Sequence, residues 1–314
     1  MKRIALLVAL AATATGGASL GSRESSASAA DAGRPELGTG NQEPSQRSAV
    51  TRYVRYALRG QTFYGILDGD VIRELRGDLF SSPQPTGVTV RRSEVRLLAP
   101  LDPARVSKVV GVAINTRRPG LEAPVPHPRW FAKFPTSLND PDGDVEMPPE
   151  ATNLNYEGEL VVVIGKRARH VSEAEALDYV FGYTVGNDFS ENTWYGERQG
   201  VNEPTRLLSK GMDTWAPIGP AIVTGIEHRG LPVRTKLNGE LVQDGTTNDL
   251  VNDVPRLISH LSRYVTLLPG DAIFTGTVRV LPDKRRRMQV GDVVEVEIEG
   301  LGMVRNRIVE MKVP

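Results

Sequence analysis

One stretch constrains this chain more than any other: Asn155-Tyr156-Glu157-Gly158-Glu159-Leu160-Val161-Val162-Val163-Ile164-Gly165-Lys166. An unbroken β-branched and apolar run that stops at a glycine predicts a buried strand. Side chains two residues apart on a strand share a face. Glu157 and Glu159 therefore project together from the strand's start, and Gly158 between them leaves room for close approach. Two carboxylates held side by side repel unless a cation or a shared proton settles the charge. An all-oxygen cluster favours a hard divalent ion such as Mg²⁺, Mn²⁺ or Ca²⁺. Spacing alone leaves a second reading open, a solvated edge carrying two surface acids.

The 314 residues suffice for one large domain or two unequal ones. Lys and Arg total 38, as do Asp and Glu, which gives no electrostatic case for nucleic acid or an acidic membrane surface. The absence of cysteine excludes disulfides, thiol catalysis and Cys-type zinc sites. Residues 1–29 are expected to be an export signal: Lys2 and Arg3 form a positive start, residues 4–14 are apolar, and small residues follow, with cleavage after Ala18 or Ala29. The apolar run is too short for a permanent membrane span. Residues 30–50 are Gly, Ser, Ala, Pro and charge, and are expected to be a disordered tether. Export to the periplasm or the medium follows from the leader alone.

From Thr51, short alternating segments joined by Gly-containing turns predict a small β-meander. Lys108-Val109-Val110-Gly111-Val112-Ala113 predicts a buried strand, and a Pro-rich loop with His127, Trp130, Phe131 and Lys133 follows. Ser172-Glu173-Ala174-Glu175 forms a capping box that opens a short helix. Gly182-Tyr183-Thr184-Val185-Gly186-Asn187-Asp188 reads as a strand ending in an acid, and Asn238-Gly239 as a hairpin turn. Residues 207–214 read as polar and turn-rich. Residues 253–264 give the clearest helix, with Val254, Leu257, Ile258 and Leu261 on one face and His260 on the solvated other. In the last long strand Val294, Val296 and Ile298 alternate with Glu295, Glu297 and Glu299, an acidic row best read as a solvated sheet face. The basic run Asp283-Lys284-Arg285-Arg286-Arg287 reads as a solvated loop, with attraction of an anionic substrate as its alternative.

The order of these blocks resembles the fumarylacetoacetate hydrolase family. The resemblance rests on Tyr156-Glu157-Gly158-Glu159-Leu160, on Gly182 through Asp188, on Lys210-Gly211-Met212-Asp213-Thr214, and on Asn238-Gly239-Glu240. Leu268-Pro269-Gly270-Asp271-Ala272-Ile273-Phe274-Thr275-Gly276-Thr277 and Gly291-Asp292-Val293-Val294-Glu295-Val296 complete it. It implies a mostly β fold with a few short helices (α+β), a mixed β-sandwich or roll. A small N-terminal β domain would span residues 51–100 and a catalytic domain residues 101–314. It also implies a homodimer and a divalent metal, Mg²⁺ or Mn²⁺ with Ca²⁺ possible, held by Glu157, Glu159 and Asp188. Lys210 matches a lysine beside the metal, Thr277 a threonine on the substrate carboxylate, and Asp213 a residue that orients the lysine. The implied substrate is a small 2-oxo or β-diketo acid.

Three departures stand out. Family members read Asn-Tyr, two residues, His-Ala, one residue, Glu; here Asn115-Thr116-Arg117-Arg118-Pro119-Gly120-Leu121-Glu122 puts Pro119 at the histidine. Glu122 would remain as a base, with His127 as a substitute. The Arg and Gln common after Asp188 are absent, and Val278 replaces a proline. The first expectation is C–C bond hydrolysis; the alternatives are a tautomerase, isomerase or decarboxylase of a 2-oxo acid, and a non-catalytic protein that binds metal and carboxylate.

Overall fold

The computed structural model describes residues 49–194 and 206–312. The expected central strand forms over Gly158–Ile164, and all of it is buried. Leu160, Val162 and Ile164 enter one apolar cluster, while Val161 and Val163 enter another. Burial on both faces explains why the run is continuous rather than alternating.

In chain order the first strands are β1 (Thr51–Leu58), β2 (Gln61–Asp68), β3 (Val71–Arg76), β4 (Gln84–Arg91) and β5 (Arg96–Leu98). Next come β6 (Val109–Ala113), β7 (Arg129–Lys133), β8 (Leu138–Asn139), β9 (Val145–Met147), β10 (Leu154–Asn155) and the central strand, β11. The remainder are β12 (Val180–Asn187), β13 (Ser190–Glu191), β14 (Ala216–Thr224), β15 (Pro232–Leu237), β16 (Glu240–Thr246), β17 (Ala272–Phe274), β18 (Val293–Ile298) and β19 (Gly302–Glu310). Among the described residues the α-helices are α1 (Leu207–Gly211) and α2 (Val254–Ser262). The fold is mostly β with a few short helices, as the sequence implied.

The large sheet runs β4-β3-β2-β1-β14-β12-β11-β17-β6-β7. β1 pairs with β14, so the N-terminal meander continues the sheet that carries β11. The second sheet, β16-β15-β18-β19-β9, shares an apolar core with one face of the first. Val296 and Ile298 of β18 are buried there and Val294 in a neighbouring apolar cluster, while Glu297 is exposed, so the alternation holds. Asn238 and Gly239 take φ of 52° and 82° between β15 and β16, the doubly left-handed turn that Asn-Gly favours.

Four local expectations change. The Pro-rich segment contains β7, whose pairing with β6 orders it. Residues 207–211 form the short helix α1. The capping box expected at Ser172 and Glu175 does not form as such: Ser172 Oγ donates to Glu175 Oε2 at 2.6 Å, the Glu175 N–H goes to the Ser172 carbonyl, and only a 3₁₀ turn over Ala176–Tyr179 follows. His260 is half-buried rather than solvated, because Trp130 Nε1 donates to its Nδ1 at 3.1 Å.

Gly186 of β12 faces Val161 and Phe274, both fully buried. An added Cβ would lie 2.5 Å from Val161 Cγ2 and 2.6 Å from Phe274 Cε1. Gly186→Ala is expected to cost about 1–3 kcal/mol by overpacking, read as a lower urea midpoint. An unchanged midpoint would mean that this part of the core yields.

Candidate active site and metal centre

β11 and β12 are antiparallel, with Gly158 opposite Asn187 and Glu159 opposite Gly186. This register sets Asp188, one residue past β12, against Glu157, whose carbonyl accepts from the Asp188 N–H at 2.9 Å. Asn187 Oδ1 accepts from the Glu157 N–H at 2.8 Å and fixes the same corner. One carboxylate oxygen each from Glu157, Glu159 and Asp188 lies within 4.8 Å of the others. Glu159 and Asp188 are buried and Glu157 is half-buried, so these are not surface acids.

Two lysines meet the cluster. Lys210, on α1, places Nζ 2.7 Å from Glu157 Oε2 and 2.6 Å from Asp188 Oδ2. The Phe131 ring lies 5.2 Å from the same nitrogen, within cation–π range. Lys133, at the end of β7, is a site residue that sequence reasoning left in a loop. It is fully buried and donates to Asp188 Oδ1 at 2.7 Å and to the Lys210 carbonyl. Asp188 thus has an ammonium on each oxygen. The signal that could have found Lys133 is its place in Trp130-Phe131-Ala132-Lys133, a short strand-like run.

Burial raises the Glu159 carboxyl well above its ordinary range, and the Asp188 and Glu157 carboxylates raise it further. Among the described residues its one hydrogen-bond donor is the Gly276 N–H, at 2.7 Å from Oε2. Burial also raises Glu157, against the opposing pull of Lys210. For Asp188 burial is again the largest influence, but the two lysines together outweigh it and hold the carboxyl low. Burial works to lower Lys210, yet Asp188 and Glu157 leave it raised; for Lys133 burial wins over Asp188 and lowers it. Three carboxylates face two ammoniums, and Glu159 has no cation of its own. A buried charge left in this way is costly. The oxygen-only donor set and the unbalanced negative charge fit a hard divalent cation.

The cluster opens into a cavity of about 670 Å³ that Glu157, Glu159, Lys210 and Thr277 help to line. Thr277 Oγ1 donates to the Gly158 carbonyl at 3.1 Å and accepts from Gln243 Nε2 at 2.9 Å. Gln243, on β16, went unnoticed in the sequence. Its amide also accepts from Gly158 N–H and Thr235 Oγ1 and donates to the Val278 carbonyl, so it ties β11 to the Thr277 segment. Asn115 clamps the loop after β6, donating to the Asn252 and Thr275 carbonyls at 2.9 and 2.7 Å. The structure does not bring Glu122 into this cavity: it is exposed, and its carboxylate accepts from the Gly120 N–H. His127 packs edge-on against His260 and lies outside the lining. Asp213 is exposed and makes no bond to Lys210.

Residues 107–309 match the fumarylacetoacetate (FAA) hydrolase C-terminal family. The chain belongs to the fumarylacetoacetate hydrolase family. Residues 51–100 match a second family, Rv2993c-like, N-terminal. The fumarylacetoacetate hydrolase domain-containing protein 2 homolog of Dictyostelium discoideum is 37% identical over 231 residues, 68% of this chain and 74% of that protein. Human mitochondrial oxaloacetate tautomerase FAHD2A is 39% identical over 227 residues, 69% of this chain and 71% of that one. The crystal structure of 2-hydroxyhepta-2,4-diene-1,7-dioate isomerase from Mycobacterium marinum superposes with a TM-score of 0.73 at 33% identity, covering 84% of this chain and all of that one. These relatives overturn the expectation of export. The human relative FAHD2A is named as a mitochondrial protein, and residues 1–29, on which the export reading rested, lie outside the described residues.

Two outcomes test the site. Lys133→Met strips a donor from Asp188 Oδ1 and from the Lys210 carbonyl, and is expected to cost about 3–5 kcal/mol in denaturant unfolding; a loss below about 1 kcal/mol would show that the ammonium is dispensable. Glu159→Gln should weaken Mn²⁺ binding at least tenfold in calorimetric titration while circular dichroism stays unchanged. Equal affinities would remove Glu159 from the ligand set.

Proposed function

We propose that this member of the fumarylacetoacetate hydrolase family is a divalent-metal-dependent tautomerase or isomerase of a small 2-oxo carboxylic acid, of the oxaloacetate type. The observation that carries the reading is the Lys210 ammonium, held by Glu157 and Asp188 beside the open side of the carboxylate cluster. Interconverting a ketone and its enol requires that enolate charge be stabilised and a proton be passed. Hydrolysis requires in addition a base that activates water. Pro119 occupies the position of the family's histidine, and Glu122 points elsewhere. The chain's four histidines, His127, His170, His228 and His260, are not among the described lining residues. The names of the human and Mycobacterium marinum relatives, a tautomerase and an isomerase, support the same choice. C–C hydrolysis, the first expectation from sequence, has less support than this alternative.

Glu157, Glu159 and Asp188 would hold Mg²⁺ or Mn²⁺, and the ion would supply Lewis-acid polarisation of a 2-oxo group. Lys210 places a positive charge where enolate oxygen becomes negative. Gln243 holds the Thr277 hydroxyl at the cavity wall. Thr277 would take the substrate carboxylate by exchanging its bond to the Gly158 carbonyl. Lys133 keeps Asp188 and the α1 backbone in register and touches no substrate.

The test follows the enol absorbance of freshly dissolved oxaloacetate with the Mn²⁺-loaded chain, the metal-stripped chain and Lys210→Met. Loaded wild type should speed ketonisation, and Lys210→Met should lose roughly 10²–10³-fold in kcat, the scale for removing one preorganised charge-stabilising donor. Release of pyruvate from an acylpyruvate faster than tautomerisation would restore the hydrolase reading. Metal binding with neither reaction would favour a binding protein.

A further inference from the structure

We propose that Ile114 is a specificity-determining residue of the cavity, giving a bound 2-oxo acid an apolar contact for the carbon chain beside its oxo-acid head. The proposal rests on the 2-oxo acid reading above and adds which feature of such a substrate the wall tells apart. Ile114 has a φ of 59°, in the left-handed region. A branched Cβ crowds its own backbone there, so the residue is strained. Among the described residues it is the one apolar residue other than glycine with a positive φ.

Both neighbours of Ile114 are fixed, which is how the strain is held. Ala113 ends β6 and is paired with Arg129 of β7. Asn115 is buried, and its side-chain oxygen accepts from the backbone N–H and the side-chain amide of Asn252, both at 2.8 Å. Its carbonyl accepts from the Val251 N–H, also at 2.8 Å. A single residue must join the paired strand end to this clamp. Glycine would make that joint freely, so the joint alone does not call for a branched side chain. Nor does the core. Ile114 is 40% exposed and lines the cavity together with Glu157, Glu159, Lys210 and Thr277. The lining residues Val112, Phe131, Tyr156 and Val278 are buried, which leaves Ile114 as the exposed large apolar group that the described wall offers to a ligand.

Its place along the wall is the head end of the cavity. An added Cβ on Gly276 would lie 2.8 Å from Asn115 Cβ, so these two backbones are in close contact. The Gly276 N–H donates to Glu159 Oε2, and Thr116 Oγ1 donates to the Thr277 carbonyl. Ile114 therefore sits within two residues of side chains packed on the segment that bonds Glu159 and carries Thr277. An alkyl branch close to the oxo carbon of a bound acid would meet Ile114 and leave water. An acid with no such branch would leave its side chain wet.

The test uses pyruvate and 3-methyl-2-oxobutanoate, which share the head group and differ by two methyl groups on the next carbon. Calorimetry against the Mn²⁺-loaded full chain should give about tenfold tighter binding of the branched acid, the low end of what small apolar groups contribute to discrimination. In Ile114→Ala and Ile114→Gly the ratio of the two affinities should fall towards one. Val290→Ala, exposed and outside the lining, should keep the wild-type ratio. Strain is read separately in urea. Ile114→Gly should unfold at a higher midpoint than Ile114→Ala, the reverse of the order found at ordinary backbone angles. Equal wild-type affinities, an undiminished ratio in both Ile114 variants, or a lower midpoint for the glycine variant would overturn the role of Ile114 alone. Binding of neither acid by a chain that binds Mn²⁺ would remove the 2-oxo acid reading and this role with it.

Discussion

The repulsion among three carboxylates at one end of β11 and β12 is the constraint to which the surrounding structure answers. Their positions follow from strand register, and the register is locked by apolar burial on both faces of β11. Slipping by one residue would send every side chain to the wrong face. The acids are therefore forced together, and positive charge must be brought to them. β7 delivers Lys133 through its pairing with β6, and α1 delivers Lys210 through a helix of barely more than one turn. Asp188 is shared between the two ammoniums, whereas Glu159 has only a backbone N–H. That asymmetry is what a divalent cation would relieve.

The parts of this arrangement that local sequence encodes were legible in advance. An apolar run of strand length bounded by glycine predicts β11, and the i, i+2 spacing places Glu157 beside Glu159. Asp253 accepts from the Arg256 N–H at 3.2 Å and caps α2 at the expected residue. Lys133 was not legible, because its burial depends on β6 and on an acid 55 residues away. Prolines on both sides of β7 mask it, and a lone lysine in such a segment reads as solvated. Gln243 is similar: its bonds reach β11, β15 and the Thr277 segment, and nothing in Glu240-Leu241-Val242-Gln243 announces them. His260 failed for a related reason. Helical periodicity put it on the polar face correctly, but Trp130 from β7 covers that face.

The loop after β6 carries Pro119, where the resemblance places a histidine, and its anchoring shows how that segment is held. Asn115 is bonded to the backbone on two sides, Thr116 Oγ1 donates to the Thr277 carbonyl, and the Arg117 N–H donates to the Asp249 carbonyl at 2.7 Å. The Arg117 side chain then reaches the Glu122 carbonyl, and the Glu122 carboxylate folds back to the Gly120 N–H. The loop is thus held against the cavity wall with Arg118 and Pro119 in the lining and Glu122 turned outward. A proline ring cannot accept a proton. A proline there, on the proposed reading, leaves the carboxylate cluster in place without a base to activate water.

On the proposed reading, the lack of a water-activating base and the buried lysine beside the carboxylates favour the same chemistry. Tautomerisation keeps the substrate whole: reactant and product carry the same charges at nearly the same separation, and only a proton changes place. A cavity that holds the substrate's charges then accepts both forms alike and needs no rearrangement within the catalytic cycle. Cleavage would divide the substrate between two products, each of which has to leave before the next turnover. Tight anion binding slows a cleavage enzyme at product release, while an isomerase loses nothing in its chemical step so long as the transition state is held as tightly as the substrate.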